Sequence, residues 1–204
     1  MTVTISRLYD TYTDAQSAVQ RLEAGGVPHS EISIVANNSD SWFSTDKKVD
    51  RDRDGVDDRA EGAGKGAGVG AGVGGAAGLL AGLGLLAIPG LGPVVAAGWL
   101  AATAVGAAAG AATGGVVGAL TQAGVSEEDA HSYAEGVRRG GTLVSARVAE
   151  ADRARLDAVL NQSAVNLQDR RAAWQKSGWK SFDPASKPYG ADEVRKERLA
   201  YGMR

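Results

Sequence analysis

From Gly66 to Ser126 the chain runs for sixty-one residues without a charged side chain. Pro89, Gly90, Gly92 and Pro93 divide this run into two apolar arms, so the expected structure is a helical hairpin. Glycines recur every four residues in the first arm, at Gly66, Gly70, Gly74, Gly78 and Gly82. The second arm repeats the spacing at Gly98, Ala102, Gly106, Gly110, Gly114 and Gly118. On a helix that spacing lines small residues along one stripe, where a second backbone can approach closely. At about 1.5 Å per residue, Gly66–Leu86 would reach about 32 Å and Val94–Leu120 about 40 Å, enough for a hydrocarbon core of about 30 Å. The stronger hydrophobes gather near the break, from Leu79 to Leu100, leaving a base of glycine and alanine. Two readings follow: a hairpin inserted in a membrane, or a hairpin that buries its tip in other copies of the chain. Both predict a homo-oligomer, the first with lipid as partner.

The flanks carry ordinary periodicities. Thr2–Tyr9 reads as a strand, and Ala15, Ala18, Val19 and Leu22 form the stripe of an amphipathic helix. Thr13-Asp14-Ala15-Gln16 offers that helix a capping box, and Gly25-Gly26 ends it. Glu31–Ala36 is a second strand. Beyond the uncharged run, Ser126 followed by three carboxylates starts another helix, and Thr142–Val148 is a strand. A helix over Ala151–Gln162 and a short strand at Ala164–Leu167 follow. The expected class is α+β, a ferredoxin-like split β-α-β domain with the glycine-zipper hairpin inserted. The divisions are 1–45, a charged linker at 46–65, the hairpin at 66–125, a second half at 126–168 and a basic aromatic tail at 169–204. That tail carries nine Lys/Arg against five Asp/Glu, with Trp174, Trp179, Phe182, Tyr189 and Tyr201 among them. It suits an anionic membrane surface, weak contact with single-stranded nucleic acid, or packing on the sheet or on another subunit, and a short helix is expected over Ala191–Tyr201.

Candidate chemistry is sparse. Asp50 to Glu61 reads DRDRDGVDDRAE, which fits a calcium-loop pattern. Asp50, Asp52 and Asp54 would supply carboxylates, Val56 a carbonyl, Asp58 a direct or water-bridged contact, and Glu61 a bidentate ligand. The competing reading is a solvated linker whose arginines pair with those acids. Gly70, Gly72 and Gly75 match a dinucleotide fingerprint formally, but no strand precedes them and glycines continue on both sides, so packing explains them better. His29 and His131 have no partner motif. The chain has no cysteine, which excludes disulfides and thiolate chemistry, and its net charge of −2 argues against a nucleic-acid binder. No base and nucleophile fall into a catalytic pattern, so no enzyme is expected. No cleaved leader is visible in MTVTISRLYD, which sets a cytoplasmic start as the expectation.

Three segments together resemble a known group: LYDTYTDAQSAVQRLEAGGV with EISIVAN, AIPGLGPVVAAGWLAATAVGAAAGA, and GVSEEDAHSYAEGVRRGGTLVSARV. Over residues 1–168 they are similar to the general-stress-protein 17M-like family, also called YflT-type or heat-induced stress proteins. The resemblance implies a bacterial, stress-associated protein with no established catalytic activity. The combined expectation is a self-associating stress protein that anchors in or protects a membrane at its cytoplasmic face. The alternative is a soluble, cytoplasmic, oligomeric binding module that responds to calcium.

Overall fold

The computed structural model describes residues 1–43, 83–108 and 115–201. Strand β1 (Thr2–Tyr9) leads into helix α1 (Tyr12–Ala24). The cap is Thr11, two residues before the box expected at Thr13. Its hydroxyl oxygen accepts from the Asp14 amide at 3.0 Å and donates to the Asp14 carboxylate at 2.6 Å. A one-turn helix at His29–Glu31 then opens strand β2 (Ile32–Asn37).

Strands β3 (Gly84–Ile88) and β4 (Gly92–Gly98) come next, joined by a three-residue loop. This corrects the expected helical hairpin over its described part. The break lies where Pro89 and Gly90 predict it, but the segments beside it are strands. β4 is paired on both sides, with β2 and with β3, so its amides and carbonyls are satisfied across the sheet. Val94 and Val95 are β-branched and fully buried there. Helix begins only at α2 (Trp99–Ala108), followed by α3 (Val116–Gln122) and α4 (Glu127–Arg138).

Gly98 therefore serves a different end from the one its spacing suggests. It closes β4 with φ of 86°, and a Cβ there would stand 2.2 Å from the Ile32 carbonyl oxygen. A close backbone approach requires glycine here. Gly98→Ala should lower stability by about 2–3 kcal/mol, through left-handed strain plus that clash. Gly26, also at positive φ but with open space beside it, should cost less on the same change; urea midpoints of the two variants check this. Of the other stripe positions, Gly106 falls within α2 and Gly118 is buried in α3. Gly66, Gly70, Gly74, Gly78, Gly82, Gly110 and Gly114 lie outside the described residues.

Strand β5 (Thr142–Ala149) completes a five-stranded antiparallel sheet of order β1-β5-β2-β4-β3. β1 and β2 each pair antiparallel with β5 between them, a split β-α-β arrangement. One face holds α1 and α5 (Arg153–Leu160), with Ile5, Tyr9, Ile34 and Val144 packed on Val19, Leu22 and Leu156. The opposite face holds α2, α3 and α4 over Leu8, Val35, Val94 and Leu143. Helices thus cover both faces, where a ferredoxin-like sandwich would cover one. The strand expected at Ala164–Leu167 is reduced to one bond, from Val165 N–H to Leu8 O at 2.8 Å. Asn166 ends it, because its side chain caps α6 (Leu167–Lys176) by accepting from the amides of Gln168 and Asp169.

The basic aromatic segment is part of the core. Trp174 on α6 is 1% exposed and meets Trp179 edge-on with centroids 5.7 Å apart. Phe182 joins the same cluster, and Val194 on α7 (Ala191–Ala200) is buried. Between those helices the chain crosses the β3–β4 loop. A Cβ on Gly90 would come within 2.7 Å of Pro184 and 2.8 Å of the Phe182 ring, and one on Gly92 within 2.8 Å of Pro188. Leu91, at the apex of the expected lipophilic tip, has no exposed surface.

Candidate functional site

Two clefts flank β1, and neither assembles reactive groups. The larger, about 570 Å³, runs along the outer side of β1 between the N-terminal ends of α4 and α5. Its charges are Arg7, Asp129, Glu150, Arg153 and Asp157. All are paired: Arg7 with Asp157 at 2.7 Å, Arg153 with Glu150 at 3.6 Å, and Asp129 with Arg171 of α6. Tyr133 donates its phenol proton to the Ser6 carbonyl at 2.6 Å, and burial pushes its pKa up to about 12. It is held as a donor and stays neutral at physiological pH. The smaller cleft, about 220 Å³, lies by the other end of β1. Tyr12 and Trp42 stack there at 4.7 Å, while Asp10 pairs with Arg170 at 3.0 Å and Asp40 with Arg198 at 2.6 Å.

The heaviest electrostatic investment joins α4 to the C-terminal helices. The Glu135 carboxylate has no exposed surface and accepts from Arg138 at 2.7 Å and Arg139 at 2.5 Å. Arg139 also reaches Glu197 of α7 at 2.8 Å, and Glu197 accepts from the Trp174 indole at 3.2 Å. The guanidinium of Arg139 lies over the Trp174 ring at 5.1 Å. The helical spacing of Glu135, Arg138 and Arg139 is legible in the sequence. Glu197 is far along the chain, so its membership is not.

Neither histidine lines either of these two clefts. His131 sits 3.8 Å from Glu127 on α4, and His29 occupies the turn before β2. Near His29, both carboxylate oxygens of Glu23 are buried without a hydrogen-bond partner. Burial pushes the Glu23 carboxyl above its usual range, with His29 partly opposing. A raised carboxyl pKa means the folded state disfavours the charge, so the cost is present above the folded pKa and gone below the unfolded one. Glu23→Gln should therefore raise the melting temperature at pH 7 by about 1–3 °C. The gain should shrink to nothing as pH falls to the ordinary carboxylate range, which thermal melts across pH 3–7 would check.

The calcium-loop residues Asp50, Asp52, Asp54, Val56, Asp58 and Glu61 lie outside the described residues. Among the described residues no three acidic or histidine groups are placed to hold a metal ion, and no helix is long and apolar enough to cross a membrane.

The two edges of the sheet differ. At β1 two outward carbonyls are taken: Leu8 accepts from Val165 N–H, and Ser6 accepts from the Tyr133 hydroxyl and the Arg7 guanidinium. Charged side chains line the cleft beside that strand. At β3 the sequence is GLLAI, with no charge, proline or bulge to block pairing. Leu85 is 44% exposed there. Among the described residues nothing pairs along the outer side of β3. Sequence reading missed this edge because it took the segment for the end of a helical arm.

No family model, no curated protein and no solved structure matches the chain.

Proposed function

We propose that this protein is a non-enzymatic, self-associating structural protein of the bacterial general-stress type. Its body is a ferredoxin-like split β-α-β unit enlarged by the β3–β4 hairpin and by helices on the second face. The observation that carries the reading is a contrast between two parts of the chain. The charged groups of both clefts are engaged in ion pairs, most of them between separate elements of the body. A run of sixty-one residues, by comparison, has no charge to keep two copies apart. Copies meet through this run, which includes the edge strand β3, and no cofactor or nucleic acid enters the account. Sedimentation equilibrium of the intact protein should give a multiple of the 20.8 kDa chain mass; a value of 20.8 kDa at all concentrations would remove the reading.

Membrane anchoring at the cytoplasmic face of the inner membrane is the second reading, favoured by the same absence of charge. The covered tip weakens it. Leu91, Val94, Val95 and Leu100 have no exposed surface, so lipid contact would fall to the glycine- and alanine-rich residues 66–82, whose transfer energy is small. Flotation of the intact protein with anionic phospholipid vesicles separates the two. The self-association reading predicts that it stays in the dense fraction.

A further inference from the structure

We propose that β3 is the contact between two copies, pairing antiparallel with its own mate across a two-fold axis to give a continuous ten-stranded sheet. The inference rests on the self-association reading and specifies where and in what register the copies meet.

Which residues of β3 face outward follows from Pro93. Its carbonyl accepts from Asn38 N–H at 2.9 Å, on the β2 side of β4. Because a residue in an antiparallel strand points its N–H and C=O the same way, Val95 and Ala97 also face β2. Val94, Ala96 and Gly92 then face β3, where they lie opposite Leu86, Gly84 and Ile88. This leaves Leu85 and Ala87 to present their N–H and C=O groups on the free side of the sheet. In a two-fold antiparallel pair, Leu85 exchanges two hydrogen bonds with Ala87 of the second copy, and Ala87 exchanges two with its Leu85. Leu86 faces its own mate at the axis.

Symmetry makes the uncharged sequence decisive. Across a two-fold axis the strand meets itself, so a charge on it would lie at the axis or one diagonal step from its own sign. GLLAI has none, and its one exposed large side chain, Leu85, is positioned to pack across the junction. The β1 edge is less open, with the Ser6 and Leu8 carbonyls occupied and the strand recessed between α4 and α5. Among the described residues one edge is partly blocked and the other is unpaired, an arrangement that pairs once and closes at two copies.

Two variants test the pairing. Leu85→Lys places a charge at an exposed position, and Ala87→Pro removes an outward N–H without touching the β3–β4 bonds. Sedimentation should give half the wild-type mass for both, with far-UV circular dichroism unchanged. If Ala87→Pro fails to fold, Leu85→Lys alone decides. The chain has no cysteine, so a Leu85→Cys/Ala87→Cys variant adds a positive readout. Opposed residues in such a pair have Cα atoms about 5.5 Å apart, within disulfide reach, and mild oxidation should yield a covalent dimer. An assembled wild type whose mass survives Leu85→Lys, with no covalent dimer, would overturn the β3 contact and leave self-association standing. A wild type at the mass of one chain would overturn both.

Discussion

Trp174→Ala should remove about 3–5 kcal/mol of stability, a large share of what a chain of this kind possesses. The indole is 1% exposed, packs edge-on against Trp179, lies under the Arg139 guanidinium and donates to Glu197. Truncation leaves a cavity under α6 and strips Glu197 of one donor, so transfer, packing and hydrogen-bond losses add. Urea unfolding should show a lower midpoint with little change in slope. Leu199→Ala, at a side chain 67% exposed on α7, is the control and should stay within about 0.5 kcal/mol of wild type. If residues 169–201 were a loose appendage, the two variants would behave alike.

Glu135→Ala should be comparably severe, at about 3–5 kcal/mol. The pair of arginines it neutralises is largely covered, with side chains 13% and 12% exposed for Arg138 and Arg139. Removing the one carboxylate between them leaves Arg139 with Glu197 alone and Arg138 without its partner on α4. The cost is that of stranded charge, not of the ion pair's own strength. It follows that Glu135→Ala combined with Arg138→Leu should recover part of the loss, and a double-mutant cycle by urea melts measures how much. Equal losses in the single and double variants would show that stranded charge is not the source of the cost.

Much of the body was legible because its apolar positions recur at helical or strand spacing. Ala15, Ala18, Val19 and Leu22 define α1, Ser126 caps α4, and β1, β2 and β5 read directly from their β-branched residues. The uncharged run was misread in its described part because glycine and alanine carry almost no periodic signal. A four-residue spacing of small residues does not by itself establish a helix. What makes Gly92–Gly98 a strand is the pair of neighbours it finds in β2 and β3, and β2 lies more than fifty residues earlier. The same limit hid the role of the aromatic segment. Trp174 beside Arg170 and Arg171 has the composition of a membrane anchor, and only the positions of Asp10, Asp129 and Arg139 turn it inward.

Residues 83–108 and 115–201 form sheet, packed helices and core in place of the expected helical hairpin. Backbone NMR of the intact protein with phospholipid vesicles present tests this directly. Strand-type 13Cα shifts are expected over residues 84–88 and 92–98. Non-hydrogen-bonded pairs bring Cα atoms to about 4.5 Å, so Hα–Hα contacts should join Leu85 to Val95 and Ala87 to Pro93. An unbroken run of helical shifts from Val94 through Ala108, without those contacts, would contradict the account.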